Sequence, residues 1–246
     1  MSDLAGDIRE RAASVRERID ASARRSGRDG SDVQLIAVTK THGPEVIRAA
    51  VEAGLRHFGE NRVEEAGPKI ESLGAGLPAD VTWHMIGHIQ SRKADAVSRY
   101  FSCVHSVDRL KVARLLSQGL AERSRQADIL LEVNLSGEEA KSGFELSGWP
   151  DNRAQIDAFY GEVGQIVALP SLRVRGLMTV APIAEDPEQV RPVFRRLREL
   201  MESLRGRFGG VEWRHLSMGM SGDFEVAIEE GATLVRLGTA LFGPRG

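Results

Sequence analysis

Cysteine occurs once in this 246-residue chain, at Cys103. That excludes an internal disulfide and fits a reducing compartment. An excess of charge is also missing: 33 Lys and Arg stand against 35 Asp and Glu, a net charge of -2. Nothing therefore supports a nucleic-acid protein held by bulk electrostatics. No apolar run approaches the length of a membrane span. The N-terminal MSDLAGDIRERAASVRERID is charged throughout and lacks the apolar stretch of a secretory signal. Linkers and low-complexity segments are absent, so a single domain over residues 1–246 is expected, in a cytoplasmic protein. Hydrophobic residues make up 41% of the chain, enough for a sizeable core.

What is present is an alternation. Residues 2 to 26 read as a helix, because Leu4, Ile8, Ala12, Val15 and Ile19 recur at helical spacing. Beyond Gly30, eight β-rich runs follow: 33–39, 55–59, 81–87, 101–107, 128–135, 172–180, 211–218 and 233–238. Helical stretches separate them. In the first, Pro44 suits a first turn, Val46, Ile47, Ala50 and Val51 form an apolar stripe, and Gly54 marks the stop. Strands alternating with helices imply βαβ units and a parallel sheet. Eight of them suit an α/β fold of the closed (β/α)8 TIM-barrel type, here with an extra N-terminal helix. An open doubly wound sheet is the alternative, and no G-x-G-x-x-G follows the first strand to support it. The polar stretch 137–153 is a long loop, as functional or disordered segments are.

In such barrels the chemistry sits at the C-terminal strand ends. The first strand ends in LIAVTKTH, so Lys40 closes an apolar run. A lysine there either snorkels to solvent or is held, desolvated and nucleophilic, near a pocket. The last two strands are followed by SMGMSG and by Gly238-Thr239. Their glycines and hydroxyls suit an anion, and this is the usual phosphate position of the fold. Ser217, Gly219, Ser221 and Gly222 are turn and cap residues in the plainer reading. Two such loops on consecutive strands favour the phosphate. Phosphate opposite lysine suggests pyridoxal 5'-phosphate, with the lysine forming an imine. Arg236, two residues before Gly238, is the candidate partner for the ring nitrogen. An interlayer ion pair is the equal alternative for it.

The blocks AVTKTH, HFGENRVEEA, WHMIGHIQSRK, VHSVD, GLMTVAP and HLSMGMSGDFEVAIEEGATLVRLGTALFG together resemble the pyridoxal 5'-phosphate homeostasis proteins. These are single-domain relatives of the alanine racemase barrel. The resemblance runs from about residue 33 to the end and implies a fold type III barrel carrying the cofactor on Lys40. It implies phosphate contacts from Ser217, Gly219, Ser221, Gly238 and Thr239, with Arg236 at the ring nitrogen. Asn61, His84, Ser106 and Met178 match positions lining the family's cofactor cavity. Two departures stand out. His42 occupies a position where the family commonly has a second lysine, and Arg62 one where an aromatic residue is frequent.

A racemase needs an acid or base on each face of its substrate. Racemases of this fold type add a β-rich domain, for which no sequence follows strand eight, and neither Tyr100 nor Tyr160 is placed for that role. The expectation is therefore a carrier that buffers or delivers pyridoxal phosphate without strong catalysis. A fold type III amino-acid racemase is the alternative. The expected partners are the cofactor and, transiently, the apoenzymes that use it; a monomer is expected. His84 and His88 have H-x3-H spacing, but on a strand containing Gly87 this points away from a metal site. His57, His105 and His215 read as core or barrel-end residues, and Cys103 as a small buried hydrophobe. RPVFRRLREL reads as a solvated face with Val193, Leu197 and Leu200 inward. Glu132 and Asn134 alternate in an apolar strand, so that one or both point into the barrel mouth.

Overall fold

The computed structural model describes residues 3–138 and 140–244. Its strands are β1 (Gln34–Val38), β2 (His57–Glu60), β3 (Thr82–Met85), β4 (Cys103–Val107), β5 (Ala127–Asn134), β6 (Phe144–Glu145), β7 (Leu172–Met178), β8 (His215–Ser217) and β9 (Leu234–Leu237). All except β6 form one ring in the order β1-β2-β3-β4-β5-β7-β8-β9, closed by β9 against β1. Every pairing is parallel, which places all the C-terminal ends at one mouth. The fold is the (β/α)8 barrel.

The helices are α1 (Leu4–Arg25), α2 (Pro44–Glu52), α3 (Val63–Leu73), α4 (Ala94–Tyr100), α5 (Leu110–Ala121), α6 (Arg153–Val167), α7 (Arg191–Arg207), α8 (Phe224–Glu229) and α9 (Thr239–Phe242). The extra helix α1 buries Ile8, Val15, Ile19 and Ala23 and leaves Leu4 exposed. It packs on α2, α8 and α9. Its charged face reaches back as well, through Arg18–Glu225 and Arg25–Glu229.

Three sequence expectations change. Residues 211–214 are not strand. Trp213 Nε1 donates to the Phe208 carbonyl, and Arg205 donates to the Trp213 carbonyl, so the segment is pinned as a turn off α7. The arginine-rich face of α7 is not simply solvated. Arg191, Arg195 and Arg198 converge on buried Glu230, and Arg196 donates to the carbonyls of Leu135 and Ser147. Phe194 joins Leu197 and Leu200 in the core, and Val193 packs against it half-buried. The stretch 137–153 is in turn tied down: β6 pairs with β5, and Arg196 donates to the carbonyls of Leu135, just before it, and Ser147, within it.

Candidate functional site in the barrel mouth

Two layers of apolar side chains separate cleanly. Ile36, Leu130, Met178 and Leu234 form their own cluster, apart from the layer between strands and helices. These four mark the lumen. Side chains alternate along a strand, so Glu132 and Arg236, each two residues further on, share that face. Lys40 lies two residues beyond Val38, at the same mouth.

The other half of the lumen is polar. His57 Nδ1 lies 3.0 Å from His84 Nε2, and His84 Nδ1 lies 3.0 Å from His105 Nε2. His105 Nδ1 lies 2.8 Å from Ser217 Oγ, which accepts from Arg236 Nη1 at 2.6 Å. Arg236 Nη2 donates to the Thr179 carbonyl at 2.9 Å. Each nitrogen–nitrogen contact needs one N–H and one lone pair, so neutral imidazoles suit this chain. Burial enforces them. It holds His84 down to about 3, and His105 well below the ordinary range, with further depression from the neighbouring His84 and Arg236. Burial also pulls the Arg236 guanidinium down to about 10, against the pull of Glu132 and Asp223. It stays a cation at neutral pH, and three of its five N–H groups remain for other partners.

The Lys40 turn is built from outside the barrel. Thr39 Oγ1 donates to Glu60 Oε1 at 2.7 Å. Lys69, on α3, donates to Glu60 at 2.8 Å, to the Thr39 carbonyl at 3.0 Å and to Glu65 at 3.1 Å. Glu65 Oε1 accepts from the Thr41 N–H at 2.5 Å. Thr41 adopts φ 70°, unusual for a β-branched residue, and this clamp on both of Lys40's neighbours holds it there. His42, at the second-lysine position, places its ring 4.8 Å from that of Phe242 on α9.

Across the mouth, the loops after β8 and β9 meet: the Ala240 N–H donates to Ser221 Oγ at 3.4 Å. Among the described residues, the amides of Ser221, Gly222, Gly238 and Thr239 have no intramolecular acceptor. Gly219 has φ 94°, and a Cβ there would lie 2.7 Å from that of Ala227, so only glycine lets the loop lie flat on α8. α8 and α9 are six and four residues long. The loop amides and hydroxyls, rather than long helix dipoles, are what this rim could offer an anion.

The structure thus brings Lys40, Met178, Ser217, Gly219, Ser221, Arg236, Gly238 and Thr239 around one mouth. His84 lies below them in the histidine chain. On the β2–β4 side, Ser106 Oγ donates to the Gly87 carbonyl at 2.7 Å, and the backbone of Asn61 lies so close to Gly87 that no Cβ fits there. The hydroxyl of Ser217 sits between His105 and Arg236, inside the barrel. His88 does not join His84: it faces Asp108 at 3.0 Å and Ser142 at 2.9 Å. His84, Cys103 and His105 do cluster, with ligand atoms within 4.8 Å of one another. Burial pushes the Cys103 thiol up to about 12, and the two imidazoles already bond to each other. Lys69, Glu60 and His105 are parts of the site that the sequence did not disclose. Asn134 turns out to cap the following loop, accepting from the amides of Ser136 and Gly137. Glu132 is the residue that faces the lumen.

The donor set fits a flat, phosphorylated, aldehyde-bearing ring: a lysine, free loop amides opposite, and a guanidinium with spare N–H groups on the floor. Known proteins share the sequence family and the fold. The family model for the alanine racemase N-terminal domain matches residues 11–246. The pyridoxal phosphate homeostasis protein of Aquifex aeolicus is 43% identical over 96% of this chain and 97% of its own. That of Pseudomonas aeruginosa is 44% identical over 100% and 97%. The structure of PipY from Synechococcus elongatus with pyridoxal phosphate bound superposes with a TM-score of 0.80, at 38% identity over 96% of this chain and 100% of PipY.

Proposed function

We infer the function from one premise: this chain belongs to the alanine racemase N-terminal domain family, alongside the pyridoxal phosphate homeostasis proteins. The protein binds pyridoxal 5'-phosphate, with its aldehyde carbon attached to Lys40, and holds and releases it for the cell's cofactor supply. The observation that carries this reading is the mouth itself. Lys40, the loop amides after β8 and β9 that have no acceptor among the described residues, and Arg236 surround one lumen. Ser221, Gly238 and Thr239 take the phosphate, and Gly219 shapes the same loop. Arg236 donates to the ring nitrogen, while Met178 and the apolar half of the lumen support the ring's face. Asn61, His84 and Ser106 line the remaining side, and Ser217 orients Arg236. When bound, the cofactor supplies an aldehyde that a primary amine captures.

The protein acts as a carrier with little catalysis of its own. Tyr100 donates to Glu71 and Tyr160 bonds Ser203, both outside the barrel, so neither tyrosine reaches the mouth. The recipients are apoenzymes met transiently in the cytoplasm, by a monomer. Among the described residues no helix is long and apolar enough to cross a membrane. Loaded protein incubated with a panel of L-amino acids is expected to yield D-isomers far more slowly than ~1 s⁻¹ by chiral chromatography. Turnover at that rate or above would establish the racemase instead.

A further inference from the structure

Glu132 has no role in the reading so far, and it is the most conspicuous group in the lumen. It projects from β5 on the same face as Leu130. Its register partner is Met178, which in turn pairs with Ser217, so it stands level with the floor of the mouth. β5 is the fourth strand from β1 in either direction around the ring, so Glu132 faces Lys40 across the opening. The residue is only 8% exposed, and its Oε2 is buried with no hydrogen-bond partner among the described residues.

A buried acceptor in that state calls for a donor. Arg236, on β9, attracts it, but the guanidinium directs its hydrogen bonds to Ser217 and Thr179, and none reaches Glu132 Oε2. Asp108, past β4, repels it. Asp223, before α8, acts on it only through the shared Arg236. Burial first, and Asp108 second, push the Glu132 carboxyl up to about 7. The group therefore changes charge within the physiological range. An aldehyde at the mouth offers it no proton, and an alcohol offers a neutral one. An ammonium both donates and supplies the countercharge.

Resting on the cofactor reading above, we propose that the same mouth also takes phosphorylated ligands bearing a primary ammonium, and that Glu132 recognises this group. The class includes the amine form of the cofactor itself. A primary amine is also the chemistry of any acceptor that takes the aldehyde from Lys40. Binding then depends on pH in a definite direction. An ammonium remains charged between pH 6 and 8, whereas Glu132 gains its charge as pH rises through about 7, so the preference grows with pH.

The test is calorimetric titration of the ligand-free chain with pyridoxamine 5'-phosphate and pyridoxine 5'-phosphate, at pH 8 and pH 6. The two share ring and phosphate, so the phosphate ionisation near pH 6 cancels in their ratio. Neither forms a covalent link to Lys40. Wild type is expected to prefer the amine by about tenfold at pH 8, the scale of one charge-assisted hydrogen bond, and by less at pH 6. Glu132→Gln, which keeps the shape and removes the charge, is expected to bring the ratio near one at both pH values. Equal affinities in wild type at pH 8, or a preference undiminished in Glu132→Gln, overturn the proposal. Pyridoxal 5'-phosphate is titrated in parallel. If it binds while the amine shows no preference, only the role of Glu132 falls; if it too fails to bind, the cofactor reading falls with it.

Discussion

Lys69→Met is expected to lower folding stability by about 3–5 kcal/mol, the usual cost of leaving one partner of a buried ion pair alone. Glu60 is fully buried and Lys69 nearly so, and they meet at 2.8 Å. The ammonium also serves the Thr39 carbonyl and Glu65. With methionine in its place, Glu60 keeps, among the described residues, only the Thr39 hydroxyl, and its second oxygen already has no partner among them. Burial, opposed by Lys69 and Thr39, already raises the Glu60 carboxyl; without Lys69 it rises further. Urea denaturation at pH 7 measures the loss. The double variant Lys69→Met, Glu60→Gln is expected to recover most of it, because no uncompensated charge remains. A single-variant cost below ~1 kcal/mol would show that the pair contributes like an exposed surface bridge. The functional consequence follows from the geometry. The turn at Thr39–Thr41 loses its clamp, so attachment at Lys40 is expected to weaken even in protein that remains folded.

Arg236→Leu should cost about a hundredfold in affinity for pyridoxal 5'-phosphate. Leucine removes a charge-assisted bond to the ring nitrogen, typically ~1.5–3 kcal/mol. It also releases the Ser217 hydroxyl and the Thr179 carbonyl that the guanidinium holds. Arg236→Lys is expected to recover little, since an ammonium lacks the planar fork that reaches both groups at once. The stability cost should be smaller than for Lys69. Glu132 loses its countercharge, but its carboxyl already titrates near 7 and takes up a proton instead. Fluorescence or calorimetric titration of the two variants separates these effects. An Arg236→Leu affinity within threefold of wild type would remove Arg236 from the binding reading.

What the sequence disclosed were features written locally. Strand and helix periods are local, and so are the glycine and hydroxyl spacings of the two cradle loops and the placement of Lys40 at a strand end. The barrel follows from these with short boundary errors. The overlong reading of 211–218 arose because VEWR has strand-like composition, while Trp213 and Arg205 fasten it as a turn. The supporting contacts were not legible. Lys69 meets Thr39 across 30 positions, and His105 meets Ser217 across 112. No local pattern announces such a pair; only ring closure and the docking of α3 on β1 and β2 create it. The arginines of α7 illustrate the same limit, since charge at helical spacing reads as solvated until Glu230 and the 137–153 loop are brought beneath it. Glu132 was half legible. Its place with Asn134 in an apolar strand pointed to the mouth, but the missing partner of its Oε2 among the described residues appears only in three dimensions.

The chain has only five lysines: Lys40, Lys69, Lys93, Lys111 and Lys141. Lys69, Lys93 and Lys141 are engaged with Glu60, Glu64 and Glu138, and Lys111 lies on the outer helix α5. Borohydride reduction of the protein loaded with one equivalent of pyridoxal 5'-phosphate, followed by proteolysis and mass spectrometry, therefore reads the attachment point directly. A single reduced phosphopyridoxyl group on the peptide containing Lys40, absent from Lys40→Ala, is the expected result. A label on any of the other four lysines, or an unlabelled Lys40 peptide, would contradict the assignment of the barrel mouth as the cofactor site.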